Sequence, residues 1–208
     1  MTSARQLGKP YASVDAGLMR SYGSSNDMPL WWGMAGLITI ECVVFSSLIA
    51  SYFYLGFRQP DWPLPGVKDP ELLLPSIGTG VLLLSSWFVH RADKAVDRED
   101  LRRMRWCLLA SILPALVFLA LKVIEYSGKE FRWDSHPYGS IVWTMIGFHF
   151  AHVVSVVLKT SVIVVLAWRG FFHQRNRLAL TINGFYWHFV VAIWLPLYTV
   201  IYLSPRLT

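Results

Sequence analysis

The sequence predicts an all-α fold, an integral membrane bundle of five transmembrane helices with the amino terminus cytoplasmic and the carboxyl terminus outside. Three observations predict it. Of 208 residues, 54% are hydrophobic and only 15% charged, a balance too apolar for a water-soluble domain of this size. Five apolar runs, at 30–57, 72–90, 105–125, 141–168 and 179–203, each reach the roughly 20 residues a helix needs to cross the hydrocarbon core. Finally, the basic residues segregate between the runs. Arg5, Lys9, Arg20, Arg91, Lys94, Arg98, Arg102, Arg103, Arg105, Arg169, Arg175 and Arg177 fall on one side, against Arg58, Lys68, Lys129, Arg132 and Arg206 on the other. Lys and Arg collect on the cytoplasmic face, which sets the orientation.

Each element follows in turn. Residues 1–29 are polar and Gly/Ser-rich, lack the apolar core of a cleavable signal peptide, and read as a cytoplasmic arm preceding a 30–208 transmembrane domain. The arm ends at "NDMPLWWGM", where Trp31 and Trp32 suit the interfacial aromatic belt and contact with lipid or a partner. The loop "RQPDWPLPGVKDPELLLP" holds five prolines, which exclude a continuous helix. "HRADKAVDREDLRRMRW" reads as two helix ends extending into water, with Arg102 and Arg103 placed to meet anionic lipid headgroups. "SGKEFRWDSHPYGS" is turn-rich. Gly33, Gly78, Gly80 and Gly147 are expected to permit close helix approach.

The net charge of +6 is a topology signal, not a nucleic-acid footprint, because the basic residues lie between spans. Cys42 and Cys107 fall in separate spans and act as apolar filler. No CxxC spacing is present and no metal site is expected.

Ionisable groups inside hydrocarbon cost about 2.5–3.5 kcal/mol each on insertion scales and therefore point to partners. Those in the runs are Glu41, Lys122, Glu125, His149, His152, Lys159 and His188. Lys122 and Glu125, three apart, share a helical face near the outer surface and read as a snorkelling pair at a helix end. At 1.5 Å per residue, Glu41 lies about 16 Å above the inner edge, Lys159 about 13 Å and His152 about 24 Å, with His188 lower. Glu41, His149, His152, Lys159 and His188 are thus expected to form one buried polar network. A haem held by two histidines would need imidazoles on opposed faces, with His188 facing His149 or His152, so a small membrane cytochrome b is one alternative. A proton-coupled transporter using Glu41 is another, although no inverted repeat or broken helix surrounds it.

Four segments narrow the choice. "YGSIVWTMIGFHFAHVVSVV" (138–157), "YWHFVVAIWLPLYTVIY" (186–202), "IECVVFSSLIASYFYL" (40–55) and "LKVIEYSGKEF" (121–131) resemble, in order and spacing, helices of the heme–copper oxidase subunit III family. The resemblance implies a five-helix form of that subunit: an accessory, non-catalytic chain with no cofactor of its own and structural phospholipids in a cleft. Haem and copper would reside in partner subunits, namely a catalytic subunit I and a subunit II, in the bacterial inner membrane. Such a chain stabilises the catalytic subunit and supports proton uptake in an oxygen-reducing, proton-translocating complex; a partner of a nitric oxide reductase is the related alternative. Glu41, Glu125, Tyr126, His149, His152, Tyr186, Trp187 and His188 match family positions, with Tyr186 and Trp187 expected at lipid or partner contacts. The resemblance implies that the buried acid pairs with the second histidine of the Phe-His-x-x-His motif, here His152; depth slightly favours Lys159, but helix tilt absorbs the difference and His152 is the expected partner. The sequence departs from the family at Lys122, Lys159 and Val191, where it usually has Gln, an apolar residue and Asp.

Overall fold

The computed structural model describes residues 29–64, 70–129, 131–170 and 178–206. The arm predicted at 1–29 lies almost wholly outside them, as do Lys68, Arg175 and Arg177. The described residues form helices α1 (Pro29–Phe57), α2 (Leu73–Asp97), α3 (Leu101–Ser127), α4 (Pro137–Trp168) and α5 (Leu178–Tyr198). A wider π turn over Thr199–Leu203 and a 3₁₀ turn over Ser204–Arg206 finish the last helix. All five helices are long and apolar enough to cross a membrane.

The apolar runs set where helices form, and capping chemistry sets where they end. α2 continues to Asp97 and α3 begins at Leu101, beyond the apolar runs that end at 90 and start at 105, so the polar connection is two helix ends as expected. Their polar residues stay helical because Asp100 caps α3, its carboxylate accepting the Arg103 N–H at 2.9 Å. α4 likewise starts at Pro137 instead of 141. His136 Nδ1 accepts the Gly139 N–H at 2.8 Å, and Pro137 takes the first helical position, where its missing N–H costs nothing.

α2 and α3 pair along their length, α3 meets α4, and α5 packs on both α4 and α2. These four helices close a ring, and α1 lies along its α4–α5 edge. The main core gathers Phe45 and Tyr52 of α1 with Leu82, Phe118, Met145, Val153, Trp187, Trp194 and Tyr202. A smaller cluster, including Ala92, Met104, Leu108 and Ala167, closes the end bearing the α2–α3 turn. Outside, Ile40, Val43, Phe57, Leu113, Val123, Leu158 and Val162 are exposed, the arrangement expected where lipid replaces water as the solvent.

Of the glycines expected at close approaches, only Gly78 has a neighbour, the Phe118 ring, where a methyl would sit 3.4 Å away. Gly33, Gly80 and Gly147 face open space. The tight contact is at Gly184, where an added Cβ would lie 2.6 Å from an Asp93 carboxylate oxygen. Small-residue patterns mark a helix surface but not which side meets another helix.

Candidate functional site

The expected single polar network divides into three clusters. Helical rotation of about 100° per residue explains the division. His149 and His152 diverge by about 60°, His152 and Lys159 return to one stripe after seven residues, and Tyr186 and His188 point about 200° apart.

The first cluster lies where α1, α4 and α5 meet. Glu41 Oε1 accepts the Tyr186 hydroxyl at 3.0 Å, and His152 Nε2 stands 3.5 Å from the same oxygen. His152 Nδ1 is 2.7 Å from the Phe148 carbonyl one turn earlier. Lys159 Nζ sits 3.7 Å from the centre of the Tyr186 ring, inside the range of a cation–π contact. Glu41 and His152 are only 13% and 14% exposed.

The second cluster joins α3 to the irregular end of α5. Lys122 Nζ donates to Glu125 Oε2 at 2.6 Å and to the Tyr202 hydroxyl at 3.0 Å. Tyr202 donates in turn to Glu125 Oε1 at 2.6 Å, closing a triangle. Aromatic rings box the ammonium, with Trp194 at 4.5 Å, Tyr202 at 4.9 Å and Phe118 at 5.7 Å. Lys122 is 2% exposed, so the predicted snorkelling is corrected: α5 covers it and the charge is met inside. Lys129 Nζ approaches Glu125 Oε1 at 3.6 Å. Burial pulls its amine below the ordinary lysine range, and Glu125 partly opposes that. His149, fully buried, stacks on Trp194 at 4.9 Å and meets Phe118 edge-on at 5.9 Å. Its ring nitrogens have no hydrogen-bond partner among the described residues.

The third cluster runs along the α2–α5 seam. His188 Nδ1 shares a 2.6 Å hydrogen bond with Ser86 Oγ, and its Nε2 is 3.9 Å from Asp93. His188 therefore belongs to α2's partners, away from Glu41. The seam continues with Trp187 Nε1 donating to Ser85 at 3.1 Å and Trp194 Nε1 to Thr79 at 2.8 Å, then Ser76 with Tyr198 at 2.7 Å. Tyr186 and Trp187 are buried in the chain's own core, which corrects their expected place at a lipid or partner contact. Trp32, 67% exposed, and the exposed Arg102 and Arg103 stay on the surface, and Trp31 packs on Phe185 at 5.3 Å.

Sequence reasoning missed Tyr202, Trp194, Asp93, Lys129 and the hydroxyls of α2. A signal was present for two sets. Thr79, Ser86 and Asp93 recur every seven residues, and Trp194, Tyr198 and Tyr202 every four, each marking one helical stripe. Among the described residues, no three His, Cys, Asp or Glu side chains converge as metal ligands would.

Known proteins resemble this chain over most of its length. Residues 17–205 match the family described as cytochrome c oxidase subunit III. Cytochrome c oxidase subunit 3 of Thermostichus vulcanus is 31% identical over 180 residues, covering 84% of this chain and 87% of that protein. The protein of the same name from Synechocystis sp. is 26% identical over 176 residues, covering 83% and 74%.

Proposed function

The chain belongs to the cytochrome c oxidase subunit III family, and from that premise we propose how it serves its complex. It is a multi-pass membrane protein and an accessory subunit of a heme–copper terminal oxidase, associated with other oxidase subunits. In our reading it is a scaffold without redox chemistry of its own. It stabilises the catalytic subunit I beside a subunit II, carries phospholipid on its apolar exterior and supports proton uptake by its partner. The haem and copper reside in those partners, the electron donor is cytochrome c, and the complex sits in a bacterial inner membrane.

One observation carries this reading: most of the intramembrane ionisable groups are engaged within the chain itself, although Glu41 Oε2 and both His149 nitrogens are buried without a hydrogen-bond partner among the described residues. Glu41 is met by Tyr186, Lys122 by Glu125 and Tyr202, and His188 by Ser86. A transporter or pump presents such groups to a water-filled path or a substrate; here they tie helix to helix. α1 illustrates the consequence. Of its side chains only Phe45 and Tyr52 are buried, with Met34, Ile38, Leu48, Ile49 and Leu55 packed partly buried on the core, and the Glu41 contacts add a polar tie to α4 and α5.

Purification in mild detergent, followed by identification of every polypeptide and pigment, tests the proposal. The expected result is a complex whose haem and copper remain with the large subunit when this chain is stripped away. A haem absorption band travelling with this chain alone would overturn it.

A further inference from the structure

We propose that Lys159 is the counter-charge of Glu41, acting across the Tyr186 ring, while His152 stands beside the carboxylate as a neutral imidazole anchored to its own helix. The inference rests on the reading above only in placing this cluster in hydrocarbon.

His152 comes first. Its Nδ1 lies 2.7 Å from the Phe148 carbonyl, and a carbonyl can only accept, so Nδ1 carries the hydrogen. In the neutral ring Nε2 is then a bare lone pair. A proton held between imidazolium and carboxylate draws the heavy atoms to about 2.7–2.9 Å. The His152 Nε2 to Glu41 Oε1 separation is 3.5 Å, too long for that bond. Two acceptors stand side by side, and neither neutralises the other.

The donor to Glu41 comes from α5. Tyr186 places its hydroxyl 3.0 Å from Oε1, and the Lys159 ammonium lies 3.7 Å from the centre of that same ring. A cation on the ring face withdraws electron density from the phenol and strengthens its O–H as a donor. The ammonium and the carboxylate sit on the ring face and at the hydroxyl end of one and the same side chain. Lys159 is thus a positioning residue: it holds the ring that holds the acid.

Charge balance agrees. The ionisable groups facing the cluster are Glu41 on α1, His152 and Lys159 on α4, and Tyr186 on α5. In an apolar medium net charge is costly. Carboxylate, ammonium and neutral imidazole sum to zero, whereas protonating His152 as well leaves a net positive charge with no further acid to meet it. Replacing Lys159 with an apolar residue reverses the balance, and Glu41 then becomes neutral only by taking up a proton.

Infrared spectroscopy of the intact complex in lipid reads that proton directly through the carboxylic-acid C=O stretch of Glu41, any such band being assigned by its loss when Glu41→Gln is added to the protein that shows it. No such band is expected in the wild type across about pH 5.5 to 8, the interval that brackets the ordinary histidine range. None is expected in His152→Gln either. Lys159→Met should introduce the band, and Lys159→Arg should keep it absent. A wild-type band that titrates in this interval overturns the proposal. So does a band that appears in His152→Gln but not in Lys159→Met. A titrating wild-type band overturns the proposal even if a variant does not assemble. Failure of the subunit reading would show separately, as the absence of a copurifying oxidase, and would leave the band measurable.

Discussion

Replacing Lys122 with methionine probes the most deeply buried ion pair among the described residues. Methionine matches the length of the lysine stem and keeps its packing against Phe118, Trp194 and Tyr202, so the change isolates the charge. Removing one partner of a buried ion pair costs about 3–5 kcal/mol. Here Glu125 retains the Tyr202 hydroxyl at 2.6 Å and Lys129 at 3.6 Å, which places the loss at the lower end, about 3 kcal/mol. That corresponds to a shift of roughly a hundredfold in the folded-to-unfolded ratio. Lys122→Gln can still donate to Glu125 and Tyr202 and should lose about 1 kcal/mol. Reversible unfolding in mixed micelles, followed by tryptophan fluorescence, gives both numbers, since Trp194 lies against the lysine. Combining Lys122→Met with Glu125→Leu should recover most of the stability, because no unpaired charge remains. A Lys122→Met protein within about 0.5 kcal/mol of the wild type, the spread of ordinary surface changes, would refute the claim that this triangle anchors the end of α5.

Other perturbations test other joints. Gly184→Ala brings a methyl within 2.6 Å of the Asp93 carboxylate, a 36% exposed group that can swing aside, so the expected loss is at the low end of overpacking, about 1 kcal/mol; Asp93→Ala should relieve much of that in the same unfolding assay. Ser85→Ala leaves the Trp187 indole N–H without its 3.1 Å acceptor, and a loss of about 0.6–1.7 kcal/mol is expected from interhelical bonds measured in membranes. Asp100→Ala removes the cap of α3 and should cost about 1 kcal/mol, with faster amide hydrogen exchange confined to the first turn of that helix. Wild-type exchange rates there would show that the cap contributes nothing.

Much of this was legible in the sequence, and what was not had physical reasons. The five helices could be read because hydrocarbon demands long apolar runs, and the polar extensions of α2 and α3 because their connection is short; the start of α4 could not, because capping by His136 carries that helix past its apolar boundary. Glu41 stood out as an acid where acids are costly, and Lys159, the partner that depth favoured, lies on the ring of the tyrosine whose hydroxyl meets that acid. Grouping His149 and His188 with Glu41 failed because depth fixes only one coordinate. Rotation about each helix turns His149 toward Trp194 and His188 toward Ser86. Lys122 was read as snorkelling because a single helix cannot reveal that Tyr202, 80 residues later, closes over it.

A cryo-electron microscopy map of the intact complex tests the central claim most directly, that this subunit satisfies its intramembrane charges internally and leaves redox chemistry to its partners. The account predicts the Glu41 carboxylate between Tyr186 and His152 with the Lys159 amine on the Tyr186 ring, and every metal centre outside this chain. Glu41 turned toward lipid or a partner subunit, or iron ligated by His149, His152 or His188, would contradict it.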